Sequence, residues 1–298
     1  MNYKVSHTTV YHYGETVPIC HNEVRLTPRH YGGQTCLSSR LLIKPQPTKI
    51  EKRLDYFGNH VSSFTIEEGH QKLSVASVSR VRVEEQAPPD PSAGISWEQL
   101  RDQLPGERSP EGLGAYQFTF DSEHAKTLPE LAEYAAPSFT PRRSCVEAVL
   151  ELTHRIHADF AFDPTATNVN TPVVEVLRLR RGVCQDFAHL QIGCLRSLGL
   201  AARYVSGYLL TTPPPGQPRL VGADVSHAWL SVYCGAQGWV DFDPTNDQIP
   251  STRHITLAWG RDYADVCPIK GVFVGGGQHH MTVSVDVSPL QTDALRHA

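Results

Sequence analysis

The segment Ala87-Pro88-Pro89-Asp90-Pro91-Ser92-Ala93-Gly94 can continue neither a strand nor a helix, because proline lacks the backbone donor that both need and fixes φ. It divides the 298-residue chain into two stretches with different periodicities. Before it, strand-like runs (Val5 to Val10 with Tyr11 and Tyr13, Leu41-Leu42-Ile43, Phe64-Thr65-Ile66, Val75 to Val83) alternate with turn chemistry at His30-Tyr31-Gly32-Gly33, Pro45-Gln46-Pro47 and Phe57-Gly58-Asn59. Val75 to Val83 ends in the strict alternation of a half-buried antiparallel strand. The expected organisation is a β-sandwich over residues 1–86, separable from the rest, a linker or domain edge over 87–110, and an α+β domain over 111–298.

The second stretch opens with helical signals. Thr140-Pro141 reads as an N-cap followed by proline at the first helical position, and Val146, Val149, Leu150, Leu152 and Ile156 recur at helical spacing. Thr171-Pro172 repeats the start signal, and Arg178, Arg180 and Arg181 before Gly182 suit a helix C-terminus. A third helix is expected from about Val183-Cys184 to Gly199, with Phe187, Leu190, Gln191, Cys194, Leu195 and Leu198 on its inner face. Strands follow: Arg203 to Leu210, in which Gly207 marks a bulge, then Asp224 to Tyr233 and Trp239 to Asp243, joined by Cys234-Gly235-Ala236-Gln237-Gly238.

Composition removes several classes of function. Lys plus Arg is 27 against 31 for Asp plus Glu, so the basic excess of a nucleic-acid or anionic-membrane binder is missing. No apolar run approaches the ~18 residues of a membrane span. Met1 to Tyr13 has no apolar block of a secretory signal, so a cytoplasmic location is expected. The seven cysteines are odd in number and contain no CxxC, which argues against a disulfide framework and a zinc ribbon. Each is by default a small buried hydrophobe. His279-His280 after Gly275-Gly276-Gly277 has no ligand partner at metal spacing and reads as a flexible loop.

One cysteine stands apart. Cys184 falls at a helix N-terminus, where unpaired N–H groups and the helix dipole favour an anion such as a thiolate. The same donors suit the oxyanion of an acyl intermediate. A nucleophilic thiol needs a base. His189 lies five residues on, off the face of Cys184, and reads as structural. His227 is mid-strand, and a hairpin turn centred on Gly235 puts it opposite Asp243, which would orient and charge the imidazole. A turn centred one residue later instead pairs 227 with 245, and Asp241, on the same face as Asp243, is a rival acid. Trp229 and Tyr208 are candidates for lining a cleft, although large aromatics more often fill a core. Asp163-Pro164-Thr165 reads as a turn.

The strings Gly182-Val183-Cys184-Gln185-Asp186-Phe187-Ala188-His189-Leu190, Ala202-Arg203-Tyr204-Val205-Ser206-Gly207-Tyr208, Ser226-His227-Ala228-Trp229, Gly238-Trp239-Val240-Asp241-Phe242-Asp243-Pro244-Thr245-Asn246 and Gly260-Arg261-Asp262-Tyr263-Ala264-Asp265-Val266 occur in an order that resembles the transglutaminase-like superfamily, in particular its bacterial two-domain members described as cysteine proteases. Tyr11-His12-Tyr13, Arg25-Leu26-Thr27-Pro28-Arg29 and Asp55-Tyr56-Phe57-Gly58-Asn59 are similar to that family's β-rich N-terminal region. Ala201 and Val225 depart from the residues common in relatives. The resemblance implies a papain-like α+β core with Cys184 as nucleophile, His227 as base and Asp243 rather than Asp241 as orienting acid. It implies thioester chemistry on a protein or peptide substrate, with hydrolysis favoured, transfer to an amine as the alternative, and a non-catalytic binding module as the rival. No cofactor, metal, nucleic acid or membrane is called for, and oligomeric state is left open.

Overall fold

The computed structural model describes residues 1–211 and 226–290. Six strands precede the proline segment: β1 (Asn2–Val17), β2 (Cys20–Val24), β3 (Gln34–Lys44), β4 (Ile50–Leu54), β5 (His60–Ile66) and β6 (His70–Val83). In β6, Leu73, Val75, Ser77, Ser79, Val81 and Val83 turn inward while Arg80 and Arg82 face solvent, the alternation legible in the sequence. Residues 84–95 form neither helix nor strand. The segment without regular structure is thus shorter than the expected linker, because Ser96 caps a helix whose Gln99 reciprocates as a capping box.

The helical region comprises α1 (Trp97–Gln103), α2 (Pro110–Tyr116), α3 (Pro129–Ala135), α4 (Cys145–Asp159), the short β7 (Ala161–Phe162), α5 (Val173–Leu179), β8 (Arg181–Gly182) and α6 (Cys184–Ser197). The helix expected from Thr140-Pro141 starts later, because the Ser144 side chain accepts from the Glu147 amide and takes the N-cap. After α6 come β9 (Ala202–Leu209), β10 (Ser226–Tyr233), β11 (Trp239–Phe242), β12 (His254–Gly260), the one-turn α7 (Tyr263–Val266), β13 (Ile269–Phe273) and β14 (His279–Pro289). Of the strand expected from Asp224, the part from Ser226 is β10, and Asp224 and Val225 lie outside the described residues. Strands β11, β10, β9 and β12 form an antiparallel sheet in that order, and α6 lies against β9 and β10.

The C-terminal strands correct the expected division. β14 pairs with β1 and β13 with β2, which completes two antiparallel four-stranded sheets, β14-β1-β6-β3 and β13-β2-β5-β4. Residues 269–289 therefore belong to the N-terminal sheets rather than to the core, and cover edges of β1 and β2 that would otherwise stand unpaired. His279 and His280 are in β14, opposite Tyr13 and His12, and not in a loop. The glycines at 275–277, all at positive φ, turn the chain between the two strands.

The two regions share one continuous apolar core. They also share hydrogen bonds along β12, the edge strand of the core sheet. The Gln34 carboxamide accepts from the Thr256 amide and donates to its carbonyl, both at 2.8 Å. The Asn59 carboxamide does the same for Trp259, at 3.0 and 2.9 Å. Both side chains are buried, and each stands in for one residue of a missing neighbour strand. Tyr3 donates to the Thr252 carbonyl, and the His7 ring bonds the Tyr208 hydroxyl. No helix among the described residues is long and apolar enough to cross a membrane.

Candidate active site

Gly182 and Asp186 place Cys184. The Asp186 carboxylate, at the third position of α6, reaches back to accept from the Val183 amide at 2.8 Å and from the Thr167 hydroxyl at 2.6 Å. A Cβ on Gly182 would sit 2.6 Å from that same carboxylate oxygen, so glycine leaves the room in which the helix start is pinned. Burial raises the Asp186 pKa against both hydrogen bonds. Cys184 emerges at the first position of α6, half-buried and free.

His227 is on the central strand β10, directly opposite Gly207 of β9. Its Nε2 lies 2.8 Å from Asp243 Oδ2. The β10–β11 ladder runs from Leu230 opposite Phe242 to Tyr233 opposite Trp239, which is the register of the turn centred one residue after Gly235. A 3-10 turn over Gly235–Gln237 supplies the extra length. Asp243 reaches His227 diagonally rather than face to face, and Asp241 reaches Trp229 in the same diagonal sense, accepting from its indole at 2.9 Å. The rival acid is therefore held by a different partner.

Asp243 is fully buried and accepts from five donors. Oδ1 takes the amides of Thr245 and Asn246, an Asx turn favoured by the Asp-Pro-Thr-Asn string. Oδ2 takes His227, the Asn246 side chain at 2.7 Å and His254 Nε2 at 3.1 Å. Burial alone would raise the Asp243 pKa, but the hydrogen bonds from His227 and His254 hold it far below the usual carboxylate range. His157 of α4 contacts the Thr245 carbonyl at 3.0 Å and steadies the turn. The ligand atoms of His227, Asp243 and His254 lie within 4.8 Å of one another, a donor set that a divalent metal can use. Their 2.8 and 3.1 Å separations are those of direct hydrogen bonds.

The Cys184 thiol also acts on His227. Burial opposes charge on the imidazole, but its hydrogen bond to the Asp243 carboxylate and its interaction with Cys184 outweigh it and push the His227 pKa up to about 10. A histidine raised on folding stabilises the fold fully below its ordinary 6.5 and loses that contribution as pH climbs through about 10, so the charged ring persists across neutral pH. Beside a cation and at a helix N-terminus, Cys184 is expected to alkylate first of the seven cysteines when iodoacetamide is applied briefly at pH 6. Cys36, also half-buried, has its thiol pKa pushed up by burial, and the buried Cys194 is pushed to about 12. Peptide mapping that finds equal labelling of Cys36 and Cys184 would sink this expectation.

The aromatic candidates do not line a cleft. Trp229 and Tyr208 are buried, the first stacked beside His227 at 5.9 Å and the second bonded to His7. Gly207 explains the position of Trp229: a Cβ there would lie 2.5 Å from the indole, which crosses β9 at that point to meet His254 edge-on at 5.2 Å. The bulge expected at Gly207 is on the facing strand, between Thr256 and Ala258 of β12. His189 is buried against Tyr204 and accepts from the Tyr263 amide, away from the thiol's partner. Asn246 and His254 were not among the sequence candidates. Asn246 follows Asp243 by one turn and was open to discovery, whereas His254 comes from a strand with no local link to the site.

Residues 3–82 match the bacterial transglutaminase-like N-terminal region, and residues 132–244 match the transglutaminase-like superfamily core. An uncharacterized protein of Mycobacterium tuberculosis is 43% identical over 305 residues, covering 98% of this chain and 94% of that one. An uncharacterized protein of Mycobacterium leprae is 34% identical, covering 96% and 98%. The crystal structure of a "Putative Cysteine Protease from Cytophaga hutchinsonii" has the same fold, with a TM-score of 0.77, 23% identity, and coverage of 98% and 92%. Two family regions in the expected order, with relatives alike over nearly their whole length, show that the chain belongs to the transglutaminase-like superfamily.

Proposed function

We propose that the protein is a cysteine-dependent acyl-transfer enzyme acting on an amide or peptide bond of a protein or peptide, with Cys184 as nucleophile, His227 as base and Asp243 as orienting acid. The observation that supports this best is the buried His227 imidazole bonded at 2.8 Å to the Asp243 carboxylate, with the Cys184 thiol at the start of α6 among the groups that favour its charged form. The Cys184 sulfur attacks the carbonyl carbon while His227 holds the thiol proton. The C–N bond then breaks, that proton passes from His227 to the departing amine, and a thioester remains on Cys184. Water attacking the thioester, with His227 taking its proton, releases a carboxylic acid and restores the thiol. An amine in place of water gives a new amide.

Hydrolysis is the favoured second half, by the likeness to bacterial members described as cysteine proteases. Incubation with a diverse peptide library, with and without a primary amine, followed by mass spectrometry separates the outcomes. Cleaved or deamidated products support hydrolysis, amine-bearing products support transfer, and an unchanged library with no acyl adduct on Cys184 overturns the enzymatic reading.

A further inference from the structure

We propose that His254 is a positioning residue that acts on His227 through Asp243, and that the N-terminal sheets hold it in place through β12. This rests on the proposed roles of Cys184, His227 and Asp243.

The Asp243 carboxylate oxygen that bonds His227 also bonds His254, at 3.1 Å. His254 is buried, and its other ring nitrogen faces the Ser251 amide at 3.4 Å. That amide can only donate, so Nδ1 is the acceptor and the ring's proton sits on Nε2, directed at Asp243. His254 is thus a fixed donor. Its partners on the packed elements are Asp243, the His227 ring at 5.9 Å and the Trp229 edge. With Asn246 it brackets Oδ2, so the carboxylate cannot rotate away from His227 without breaking several hydrogen bonds.

What fixes His254 lies outside the core. It is the first residue of β12, whose outer edge is clamped two and five residues on by the carboxamides of Gln34 and Asn59. The backbone of Arg29 bonds the Thr256 carbonyl, and its guanidinium stacks 3.5 Å from the Trp259 ring centre. Two of the three N-terminal strings that resemble the family, those ending in Arg29 and Asn59, therefore meet at the strand that carries His254. In this reading the N-terminal sheets are part of the catalytic apparatus rather than an appended binding module.

The experiment uses the full chain and needs no substrate. Iodoacetamide alkylation of Cys184 is timed by mass spectrometry at pH 6 and pH 9 for wild type, His227→Ala, His254→Gln and His254→Phe. Glutamine keeps a donor near the Nε2 position. Phenylalanine keeps the volume and the edge against Trp229 but loses the donor. His254→Phe is expected to lower the pH 6 rate about tenfold, the order expected when a charged group loses one hydrogen bond, and to spare the pH 9 rate. His254→Gln is expected to stay within about twofold to threefold of wild type at both. Circular dichroism checks that each variant is folded, and a Gln34→Glu variant, folded but with its clamp broken, is expected to show a weaker form of the loss seen in His254→Phe. A normal pH 6 rate in His254→Phe while His227→Ala is slow, or a slow His254→Gln with a normal His254→Phe, overturns the donor role alone. A wild type in which Cys184 has no advantage at pH 6, and in which His227→Ala changes nothing, overturns the thiol reading and the role of His254 with it.

Discussion

Cys184→Ala is expected to bring turnover of any amide substrate to background, because no other described thiol contacts His227 and the acyl group has nothing to bond to. His227→Ala should be nearly as damaging, since the thiol loses both its base and its ion-pair partner. Asp243→Asn should cost roughly one to two orders of magnitude less, as it disturbs the orientation and charge of the ring but leaves both reacting groups. Combining Cys184→Ala with either change should add little, because members of one catalytic unit are not additive. Asp241→Asn should behave differently in kind. Asp241 accepts from Trp229 and favours the charge of Arg203, whose guanidinium lies 4.1 and 3.8 Å from the ring centres of Trp239 and Trp259. Its loss should lower stability by about 2 kcal/mol with activity per folded molecule kept. Kinetics beside urea unfolding decide these points. Full activity in Cys184→Ala would overturn the mechanism, and loss of activity in folded Asp241→Asn with full activity in Asp243→Asn would reassign the acid.

Gly207→Ala is expected to be the most damaging single methyl in the core sheet. The added carbon would fall 2.2 Å from the Ile255 carbonyl oxygen and 2.5 Å from the Trp229 ring. The first is backbone and cannot rotate aside, so β9 and β12 must separate or the indole must leave. Overpacking of this kind costs about 3 kcal/mol. The urea midpoint should fall with an unchanged slope, and the surviving folded fraction should be poorly active because Trp229 underlies both His227 and His254. A midpoint equal to wild type would show that the strands part at little cost and would remove Gly207 from the account of the site.

What was legible in the sequence follows the range of the forces involved. The start of α6 was readable because Gly182 breaks the chain and an apolar helical period opens just after it, while the reach of Asp186 back to Val183 and Thr167 was not. The inner face of that helix and the alternation of β6 were readable because periodicity is local. Hairpin register was not, because one residue in the Gly235–Gln237 turn shifts the ladder while leaving the alternation intact. The Asp243 contact survived that shift only because a diagonal neighbour across a twisted pair is still within reach of an imidazole. His254 gave no signal: it reaches Asp243 through the order β11-β10-β9-β12, which no spacing along the chain encodes. Trp229 and Tyr208 followed the commoner rule that large aromatics fill cores.

The return of β13 and β14 to the N-terminal sheets sets a timetable for biosynthesis. β1 and β2 leave the ribosome well before the strands that pair with them, 269–273 and 279–289. At roughly 5–20 residues per second, β1 waits roughly 10–50 s with an unpaired edge. The sheets that clamp β12 are therefore completed only after β12 itself has been translated, so the strand that carries His254 waits for its outer support.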